Sequence, residues 1–534
     1  MTPDSLEKAT RTELLDRARA ADIRGRSSMS KAQLVSLLRE HGSRSGRDDG
    51  RGAEDGAAGE HGAAGGHGAA GEHGAAGDDG RAPVGSRVES FRKLAEARAR
   101  GEMVLVPRML TGNDRRLHVR ETVREDHETR IATRDVEARA KFDKLAGSVF
   151  HFFRGTNLLF YRDLLGEDAR MPTVLALGDV HPGNFGVMPS ADNVPIFGVN
   201  DFDDAFYAPF TWDLKRGVVG FVLGAAEKSG LGAKKQRAVA ERFVRGYIDG
   251  IAAYAAEASE QREQLRLDNA PPMIAALLED VRHRGRAEWL AETLLDEYGS
   301  GFRTDDEIVP VSSRREEFQE LVERYVREND VAVPDRAAGM RVKDVAERKD
   351  AGTASLGLTR YYVLIEGPRA DGTDDLLLEF KRARRSALAG LVPPSGFEVD
   401  REGDRIRHAQ RVHLVNGDVF YGSVDFDGHS FMVRERAPFR DDVSLGSLSV
   451  KEWKRYAGIC GRVLAHTHAM SDENGLIDYD VEPAIMAAIG AHDLFVDDML
   501  RFADEAVARV RRDHEHFVAD HELGAFRSVD VVYR

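Results

Sequence analysis

The chain has 534 residues, of which 42% are hydrophobic and 31% charged, which is enough for two or three domains with buried cores. Its net charge of -15 argues against a general nucleic-acid binder, because neutralising phosphates requires a basic surface. A single cysteine, Cys460, excludes a disulfide framework and lies in an apolar helical pattern that predicts a core position. Without an apolar run long enough to span a bilayer, or a signal-peptide core, we expect a cytoplasmic protein with no membrane partner.

Residues 1–42 are predicted to form a small all-α module. Apolar residues at helical spacing indicate a first helix, and a second begins near Ser30 and stops at Gly42. The pair resembles the N-terminal domain of transcription termination factor Rho and SAP-type helix-extension-helix modules, which often bind nucleic acid. The candidate phosphate contacts are Lys8, Arg11, Arg24, Arg26 and Lys31. The alternative is a solvated helical pair that binds a protein or nothing.

Residues 43–85 repeat a short Gly, Ala and His unit, as in "GEHGAAGGHGAAGEHGAAGDDG". The repeat has no large apolar residue to bury, so we predict a disordered linker. From 86 to 534 we expect one large α+β body. Its predicted helices cover 86–160, most of 213–350, the stretch "SVKEWKRYAGICGRVLAHTHAMS" and about 490–515. Its predicted strands cover 173–178, 195–199, 360–366, 376–381, 412–422 and 430–434.

Two polar clusters follow neighbouring strands of this body. Asp179 ends the apolar stretch "TVLAL", and Asn184 follows it across a Pro-Gly turn. The next strand, "VPIFGV", leads to Asp201, so an Asp, an Asn and a second Asp come close together. One carboxylate and the Asn oxygen suit Mg²⁺, while the other carboxylate orients and deprotonates a hydroxyl nucleophile, as in kinases. Simple turn capping by Asp179 and Asn184 is the structural alternative.

Several motifs in this part of the chain resemble known phosphotransferases. The stretches "GDVHPGNFG", "VNDFDDA" and "WDLKR" are similar to the catalytic loop, the metal-binding stretch and the following Asp-Leu step of aminoglycoside and choline-type enzymes. With "FHFFRGTN" and "SLGLTRYYVLIEG", they make roughly 90–520 similar to a bacterial family, domain of unknown function 2252, which is related to the protein-kinase-like superfamily.

The resemblance implies roles for individual residues. In chain order these are the base Asp179, the loop-supporting His181, the metal ligands Asn184 and Asp201, the further acid Asp203 and the loop buttress Asp213. Arg154 either anchors the active-site entrance or a phosphate, or forms a structural ion pair. Leu177 departs from the pattern, because kinases of this type have a histidine there.

The elements that would hold ATP are predicted downstream of the loop. Gly352, Ser355 and Gly357 lie in a small-residue turn before a strand, although Ala354 replaces the middle glycine of a G-x-G-x-x-G pattern. A simple β-hairpin is the alternative for this turn. The strand "DLLLEFKRA" ends near Lys381, which we expect to fold back onto the acids and pair the α and β phosphates.

Two further contacts of the nucleotide lobe are predicted from the following segment. Glu402 is favoured as the glutamate that pairs with Lys381, and Glu398 and Gln410 are alternatives. The strand "SFMVRERAP" leads to a hinge at Val433 to Glu435, whose backbone we expect to meet adenine.

Together these predictions describe a protein-kinase-like two-lobe α+β fold that is circularly permuted in sequence. The catalytic loop and metal Asp occupy 173–216, a helical region 217–345, the nucleotide lobe 346–437 and the C-terminal helices 448–520. Such a permutation is tolerated when the ends of a domain lie close together. The rival is that the segment 350–435 is an unrelated β insertion.

The leading hypothesis is therefore an ATP- and Mg²⁺-dependent phosphotransferase that acts on a hydroxyl of an unknown small molecule or protein. A nucleotide-binding pseudoenzyme is the alternative favoured by Leu177 and Ala354. A nucleic-acid-associated regulator acting through residues 1–42 is a third. A metal-dependent hydrolase would need His181 as a ligand, and we expect His466 and His468 to pack near the loop instead.

Overall fold

The computed structural model describes residue 38 and residues 87–133, 135–349, 358–392, 401–473 and 476–527. The chain divides into two units, Met1–Arg87 with Arg534 and Val88–Tyr533. Apart from the half-buried, helical Leu38, the predicted module 1–42 and linker 43–85 lie outside the described residues. The second unit combines helices and strands, which agrees with the mixed α and β class that we predicted.

Helices fill the chain before the first strand, as predicted for 86–160. Their apolar faces pack against one another and against the last long helix of the chain. Among the described residues they are α1 (Arg87–Ala99), α2 (Gly112–Asp126), α3 (Glu128–Thr133), α4 (Asp135–Ala146), α5 (Val149–Gly155) and α6 (Asn157–Arg162).

Four short strands form two antiparallel pairs around the predicted motif. β1 (Thr173–Ala176) pairs with β4 (Phe206–Pro209), and β2 (Phe185–Pro189) pairs with β3 (Pro195–Val199). The strands predicted at 173–178 and 195–199 are confirmed, with β1 ending two residues earlier than expected. The polar stretches of the motif therefore begin where β1 and β3 end.

A helical layer follows these strands. Its first member, α7 (Phe210–Ser229), is buried along most of its length, and α8 (Ala233–Glu257) packs against it. The later members are α9 (Pro272–Val281), α10 (Arg286–Thr293) and α11 (Arg315–Glu328). Two strands that we did not predict interrupt this region, β5 (Ile308–Pro310) and β6 (Val342–Arg348), because β5 is short and the charged residues of β6 hide its alternation.

The remaining strands are β7 (Arg360–Ile365), β8 (Leu376–Arg382), β9 (Gly422–Phe426) and β10 (His429–Glu435). With β5 and β6 they form a six-stranded antiparallel sheet in the order β5-β6-β7-β8-β10-β9. α12 (Glu402–His413) lies between β8 and β9 in sequence and packs on β9 and β10. The strand predicted at 412–422 is wrong, because Val412 and His413 belong to the buried face of α12.

The last helices are α13 (Val450–Ala469), α14 (Val481–Ile489) and α15 (His492–Glu522). The predicted helix at α13 is confirmed and begins with a capping box between Ser449 and Glu452. α8 approaches α13 so closely that a Cβ on Gly246 would lie 2.2 Å from a backbone oxygen of α13. Cys460 is buried in this contact region, as predicted.

One large core joins the helices to β1–β4, and smaller cores cover the two faces of the six-stranded sheet. The ends of β1 and β3 belong to the first region, whereas β8 and β10 belong to the sheet. Among the described residues, none of the helices has the length and apolar composition that crossing a membrane requires.

Candidate active site

The loop that follows β1 rests on a buried carboxylate. Asp213, in the first turn of α7, accepts the backbone N–H of Leu177 at 2.6 Å and that of Gly178 at 3.0 Å. His468 of α13 lies 3.1 Å from the same carboxylate, and Tyr247 bonds the other ring nitrogen of His468 at 2.8 Å. Asp213 therefore buttresses the loop as predicted, and His468 packs beside it.

Gly178 makes the bend that turns the chain towards Asp179. Its φ is +74°, and a Cβ there would lie 2.4 Å from the carbonyl oxygen of Asp204, so only glycine fits. The carboxylate of Asp204 accepts bonds from Asn157 at 2.6 Å and from Arg384 at 2.7 Å. The loop after β1 is thus packed directly on the acidic stretch after β3.

Asp179 faces an arginine that has no exposed side-chain surface. Arg216, one turn after Asp213 on α7, donates to Oδ1 of Asp179 from Nη2 at 2.8 Å and from Nε at 3.2 Å. Burial alone would raise the pKa of Asp179, but His181 and the Arg216 guanidinium lower it below its ordinary value. The carboxylate is therefore ionised at neutral pH.

His181 is buried and supports this loop from the side. Arg154 Nε lies 2.9 Å from His181 Nε2, and the N–H of Gly183 lies 3.0 Å from Nδ1. Burial and the positive charge of Arg154 lower the pKa of His181 to about 4, so the ring is neutral at pH 7. Burial also lowers the pKa of Arg154, and the charges of Asp179 and Asp201 oppose that change. Arg154 therefore faces the acids of the site.

The β2–β3 hairpin brings Asn184 next to the stretch that carries Asp201. Phe185 pairs with Val199, so the residues just outside the hairpin face each other. Asn184 accepts the N–H of Asn200 on its carbonyl at 3.1 Å, and its side-chain amide donates to the carbonyl of Asp179 at 2.8 Å. The hairpin register therefore places Asn184 beside the stretch that carries Asp201, and the Asn184 amide links both to the loop of Asp179.

Lys381 of β8 connects the six-stranded sheet to these acids. Its ammonium forms an ion pair with Asp203 and lies 3.9 Å from Oδ1 of Asp201. Although burial opposes it, Lys381 lowers the pKa of Asp203, whereas burial and the neighbouring charge of Asp203 raise the pKa of Asp201. Two strand ends that are far apart in sequence thus share one charged cluster.

Three buried arginines of this site were not predicted. Arg405 of α12 donates to the carbonyls of Asp203 and Ala205 at 2.8 and 2.7 Å, and Arg434 of β10 donates to the carbonyl of Asn200 at 3.2 Å. Arg405 and Arg434 also donate to Glu402 and Glu379, but their contacts with the site are to backbone oxygens of another region, which leaves no signal in the sequence. The third, Arg216, had a signal, because it follows Asp213 by three residues and so shares its helix face.

Glu402 is not the partner of Lys381. It lies in the first turn of α12, where Arg405, three residues later, donates to its carboxylate at 2.7 Å. Among the described residues, the acids that pair with Lys381 are Asp203 and Asp201. The alternative Gln410 is buried in α12, and Glu398 lies outside the described residues.

The hinge contact predicted at Val433 and Glu435 is also not open to a ligand. Val433 lies in β10, which is paired on both sides by β8 and β9. The N–H of Glu435 donates to Asp418 at 3.0 Å, and its carboxylate forms ion pairs with Arg286 and Arg336. The remaining predicted nucleotide contacts, Gly352, Ser355 and Gly357, lie outside the described residues.

The donor set of the cluster fits a hard cation. Asn184, Asp201 and Asp203 offer an amide and two carboxylates, all oxygen ligands of the kind that Mg²⁺ takes. His466, which we expected near the loop, instead contacts the carbonyl of Glu260 at 2.8 Å. The site therefore combines an ionised acid, a set of oxygen donors and a lysine.

A protein-family model matches most of the chain. The family model described as "Uncharacterized protein conserved in bacteria (DUF2252)" matches residues 134–520. No curated protein and no solved structure matches the chain. Since the family match covers well over half of the 534 residues, the chain belongs to the DUF2252 family.

Proposed function

We propose that the chain is an ATP- and Mg²⁺-dependent phosphotransferase that acts on a hydroxyl of a small molecule or a protein. The observation that carries this proposal is the contact of Lys381 with Asp203 and Asp201. The lysine comes from a six-stranded sheet and the acids from the end of β3, far away in sequence. A lysine beside metal-binding acids is how kinases hold the phosphates of a nucleotide.

The order of elements supports a kinase-like fold that is circularly permuted. In kinases the nucleotide lobe is an antiparallel sheet with a lysine strand followed by a helix, and it precedes the catalytic loop. Here β6–β10 with α12 follow the loop. The N–H of Leu175 in β1 donates to Ser471, just after α13, at 3.0 Å. The end of α13 thus adjoins the strand that leads into the loop, where an unpermuted chain would connect the two.

In the proposed reaction, the acceptor hydroxyl oxygen attacks the γ-phosphorus of ATP. The bond from that phosphorus to the β–γ bridging oxygen breaks, ADP leaves, and the hydroxyl proton passes to the carboxylate of Asp179. Arg216 keeps this carboxylate ionised, so it accepts the hydroxyl's hydrogen bond at neutral pH. A carboxylate of lowered pKa is a weak base, so Asp179 acts mainly by orienting the hydroxyl.

Asn184, Asp201 and Asp203 would hold Mg²⁺, which supplies charge neutralisation for the phosphate oxygens. Lys381 would pair with the nucleotide phosphates. The ion pair between Lys381 and Asp203 must then open, because each side chain takes a new partner of opposite charge. We therefore expect ATP and Mg²⁺ to bind cooperatively, each removing part of the cost of opening this pair.

A nucleotide-binding pseudoenzyme is the second candidate function. Leu177 stands where the resembling kinases have a histidine, and Asp179 is already bound by Arg216. Both features favour a site that binds a nucleotide without transferring its phosphate. The two candidates share the binding step and differ only in transfer.

The test is a titration of the full chain with ATP, with Mg²⁺ and with both, followed by calorimetry and thermal unfolding. We expect tight binding only when both are present, and a loss of at least about tenfold in affinity for Lys381→Met, since a charge-assisted contact to phosphate is removed. Lys343→Met is the matched control, because Lys343 lies in the same sheet and pairs with Asp375 at 2.8 Å.

Transfer is then measured as the gain of a phosphoryl group across a library of hydroxyl metabolites. Product that disappears in Asp179→Asn while ATP still binds supports the phosphotransferase. Binding without transfer to any acceptor supports the pseudoenzyme, and the absence of ATP binding with or without Mg²⁺ overturns both.

A further inference from the structure

A basic groove runs along the solvent-exposed side of α13, where α8 packs against it. Two adjoining cavities of about 780 and 400 Å³ open there and share Arg242 and Arg455. The basic side chains that line them are Arg242 of α8 and Lys451, Lys454, Arg455 and Arg462 of α13. We call these five residues the basic stripe. All five are exposed, in a chain whose net charge is -15.

The helical geometry of α13 aligns these charges on one face. Lys451, Lys454 and Arg455 are three or four residues apart and are therefore neighbours on the helix surface. The next position of that face is Gly458, where an added Cβ would lie 3.6 Å from Nη2 of Arg242. At this turn α8 thus supplies the cation that α13 lacks. The last residue of the stripe follows one turn later, so the stripe covers about 16 Å of helix.

Acidic side chains do not balance the basic stripe. Arg462 forms an ion pair with Glu263 at 3.1 Å, and among the described residues no acid forms an ion pair with the other four cations. The acids that line the cavities are Glu263 and Asp249. Glu452, which lies within the stripe in sequence, is bound by Ser449 in the cap of α13. Because like charges three or four residues apart on a helix repel, the stripe is unfavourable unless an anionic partner joins it.

Apolar side chains share the larger cavity with the stripe. Pro271, Pro272 and Met273, at the start of α9, line it together with Ile459 of α13. Met273 and Ile459 are only half-buried, so apolar surface remains open beside the cations. Among the described residues that line the two cavities, none is aromatic, so the groove offers no side chain on which nucleic-acid bases would stack. The combination of cations and aliphatic surface therefore fits an acidic polypeptide better than a nucleic acid.

We propose that the groove along the basic stripe is a docking site for an acidic segment of another protein, with apolar side chains between its carboxylates. The carboxylates would pair with the stripe, and the apolar side chains would pack on Pro272, Met273 and Ile459. The length of the stripe matches about five residues of extended chain or about eleven of helix. Because all five cations are exposed, the groove suits a segment of a macromolecule better than an enclosed small ligand.

The docking site is separate from the candidate active site. Tyr456, which is buried on the other side of α13, donates to the carbonyls of Pro182 and Phe185 at 2.6 and 3.2 Å. The stripe and the loop after β1 therefore contact the same helix through different side chains. Binding of an acidic segment does not depend on whether the chain transfers phosphate.

The test is fluorescence anisotropy of the full chain with a fluorescein-labelled peptide of about twelve residues, composed of Glu, Asp and Leu. We expect saturable binding at about 50 mM NaCl that weakens at least about tenfold at about 300 mM, because salt screens exposed charges. A peptide with Gln and Asn in place of its acids should bind at least about tenfold more weakly, since it cannot pair with the stripe. A peptide with Ser in place of Leu should also bind more weakly, since the apolar contacts are lost.

Two double variants assign the binding to the groove. Lys454→Gln with Arg455→Gln should weaken binding of the acidic peptide at least about tenfold and should not lower the free energy of unfolding by urea, because both side chains are exposed and repel each other's neighbours. The matched control is Arg511→Gln with Arg512→Gln, which removes two adjacent exposed arginines of α15 outside the groove. The control should bind the peptide like the unmodified chain.

Three results would overturn the proposal: no saturable binding of the acidic peptide at low salt, equal binding of the Gln and Asn peptide, or equal loss of binding in both double variants. A single-stranded DNA of about twelve nucleotides is the remaining probe. DNA that binds as tightly as the peptide, and loses binding in Lys454→Gln with Arg455→Gln, would assign the groove to nucleic acid instead of an acidic protein.

Discussion

The candidate active site and the three acids Asp472, Asp480 and Glu482 between α13 and α14 are both concentrations of acidic side chains, but they balance charge in opposite ways. In the candidate active site Asp179 pairs with Arg216, and Asp203 pairs with Lys381. Between α13 and α14, Glu482 lies beside Asp472 and Asp480, with carboxylate oxygens of all three within 4.8 Å of one another. The first region carries its own cations, so a ligand must displace them. Among the described residues the second group forms no ion pair with a base; burial and the charge of Asp472 raise the pKa of Glu482 to about 8, so this group takes up a proton instead.

The largest effect is expected from replacing Asp179, the acid that pairs with the fully buried Arg216. Asp179→Asn should lower phosphoryl transfer by about 10²–10⁴-fold, because the amide cannot accept the hydroxyl proton. It also leaves the guanidinium of Arg216 without its carboxylate, and Arg216 has no exposed side-chain surface. We therefore expect a measurable loss in the free energy of unfolding by urea, although a loop carboxylate alone contributes little to the core.

Asp192→Asn is the control for this variant, because Asp192 is an exposed acid between β2 and β3. It should leave both transfer and urea unfolding unchanged. Transfer that survives in Asp179→Asn would remove Asp179 as the proton acceptor and would make its pair with Arg216 purely structural.

The second-largest effect is expected at Asp213, the carboxylate that holds the loop after β1. Asp213→Asn places an amide donor against the N–H of Leu177 or Gly178, so at least one backbone hydrogen bond is lost. We expect the free energy of unfolding to fall by about 2–4 kcal/mol, because a buried backbone N–H loses its acceptor and faces the N–H₂ group of the new amide. Asp249→Asn, at an exposed position of α8, is the control. A loss below about 1 kcal/mol would show that the loop holds its shape without Asp213.

The buried acid Asp418 is expected to make the stability of the folded chain depend on pH. Asp418 is buried beside Glu435, which is itself paired with two arginines. Burial and the charge of Glu435 raise the pKa of Asp418 to about 7. The folded chain therefore holds this proton at pH values where the unfolded chain, with an ordinary pKa near 3.9, has lost it.

Because the pKa of Asp418 is higher in the folded chain than in the unfolded chain, Asp418 stabilises the fold at low pH. The stabilisation is fully present below about pH 4 and disappears as the pH rises through about 7. Asp418→Asn should reduce the difference in the free energy of unfolding between pH 5 and pH 8 by roughly 1–3 kcal/mol. Chemical unfolding at several pH values measures this. An equally steep pH dependence in the variant would mean that Asp418 is ionised in the folded chain.

The sequence allowed the positions of the local parts of the candidate active site to be predicted. Asp179 and Asp201 follow the ends of β1 and β3, and Asn184 directly precedes β2, so the β2–β3 register places Asn184 beside the stretch that carries Asp201. The buttress Asp213 came from a motif in the next helix. These features depend on neighbouring residues, so their spacing is informative. The mixed α and β class and most helices were also predictable from hydrophobic periodicity.

What could not be predicted depends on contacts between distant segments. Arg405 and Arg434 bind backbone carbonyls of the acid-bearing stretch, and any surface arginine would look the same in sequence. At the predicted hinge, Val433 is paired by strands on both sides and the N–H of Glu435 donates to Asp418, and the sequence does not reveal these contacts between distant segments.

The smallest expected effect concerns the partner of Lys381. If Glu402 paired with Lys381, as in a kinase, the variant Glu402→Gln would weaken nucleotide binding. In the structure, however, Lys381 pairs with Asp203 and Asp201. Glu402 instead contacts Arg405, whose guanidinium is held by three carbonyls in addition. We therefore expect a change in the free energy of unfolding below about 1 kcal/mol and no change in affinity for ATP with Mg²⁺.

Calorimetry on Glu402→Gln and on Asp203→Asn, the variant that removes the carboxylate that Lys381 does contact, tests this prediction. Equal weakening in both variants would mean that Lys381 exchanges Asp203 for Glu402 when a nucleotide binds, and the charge balance of the active site would then change with its ligand.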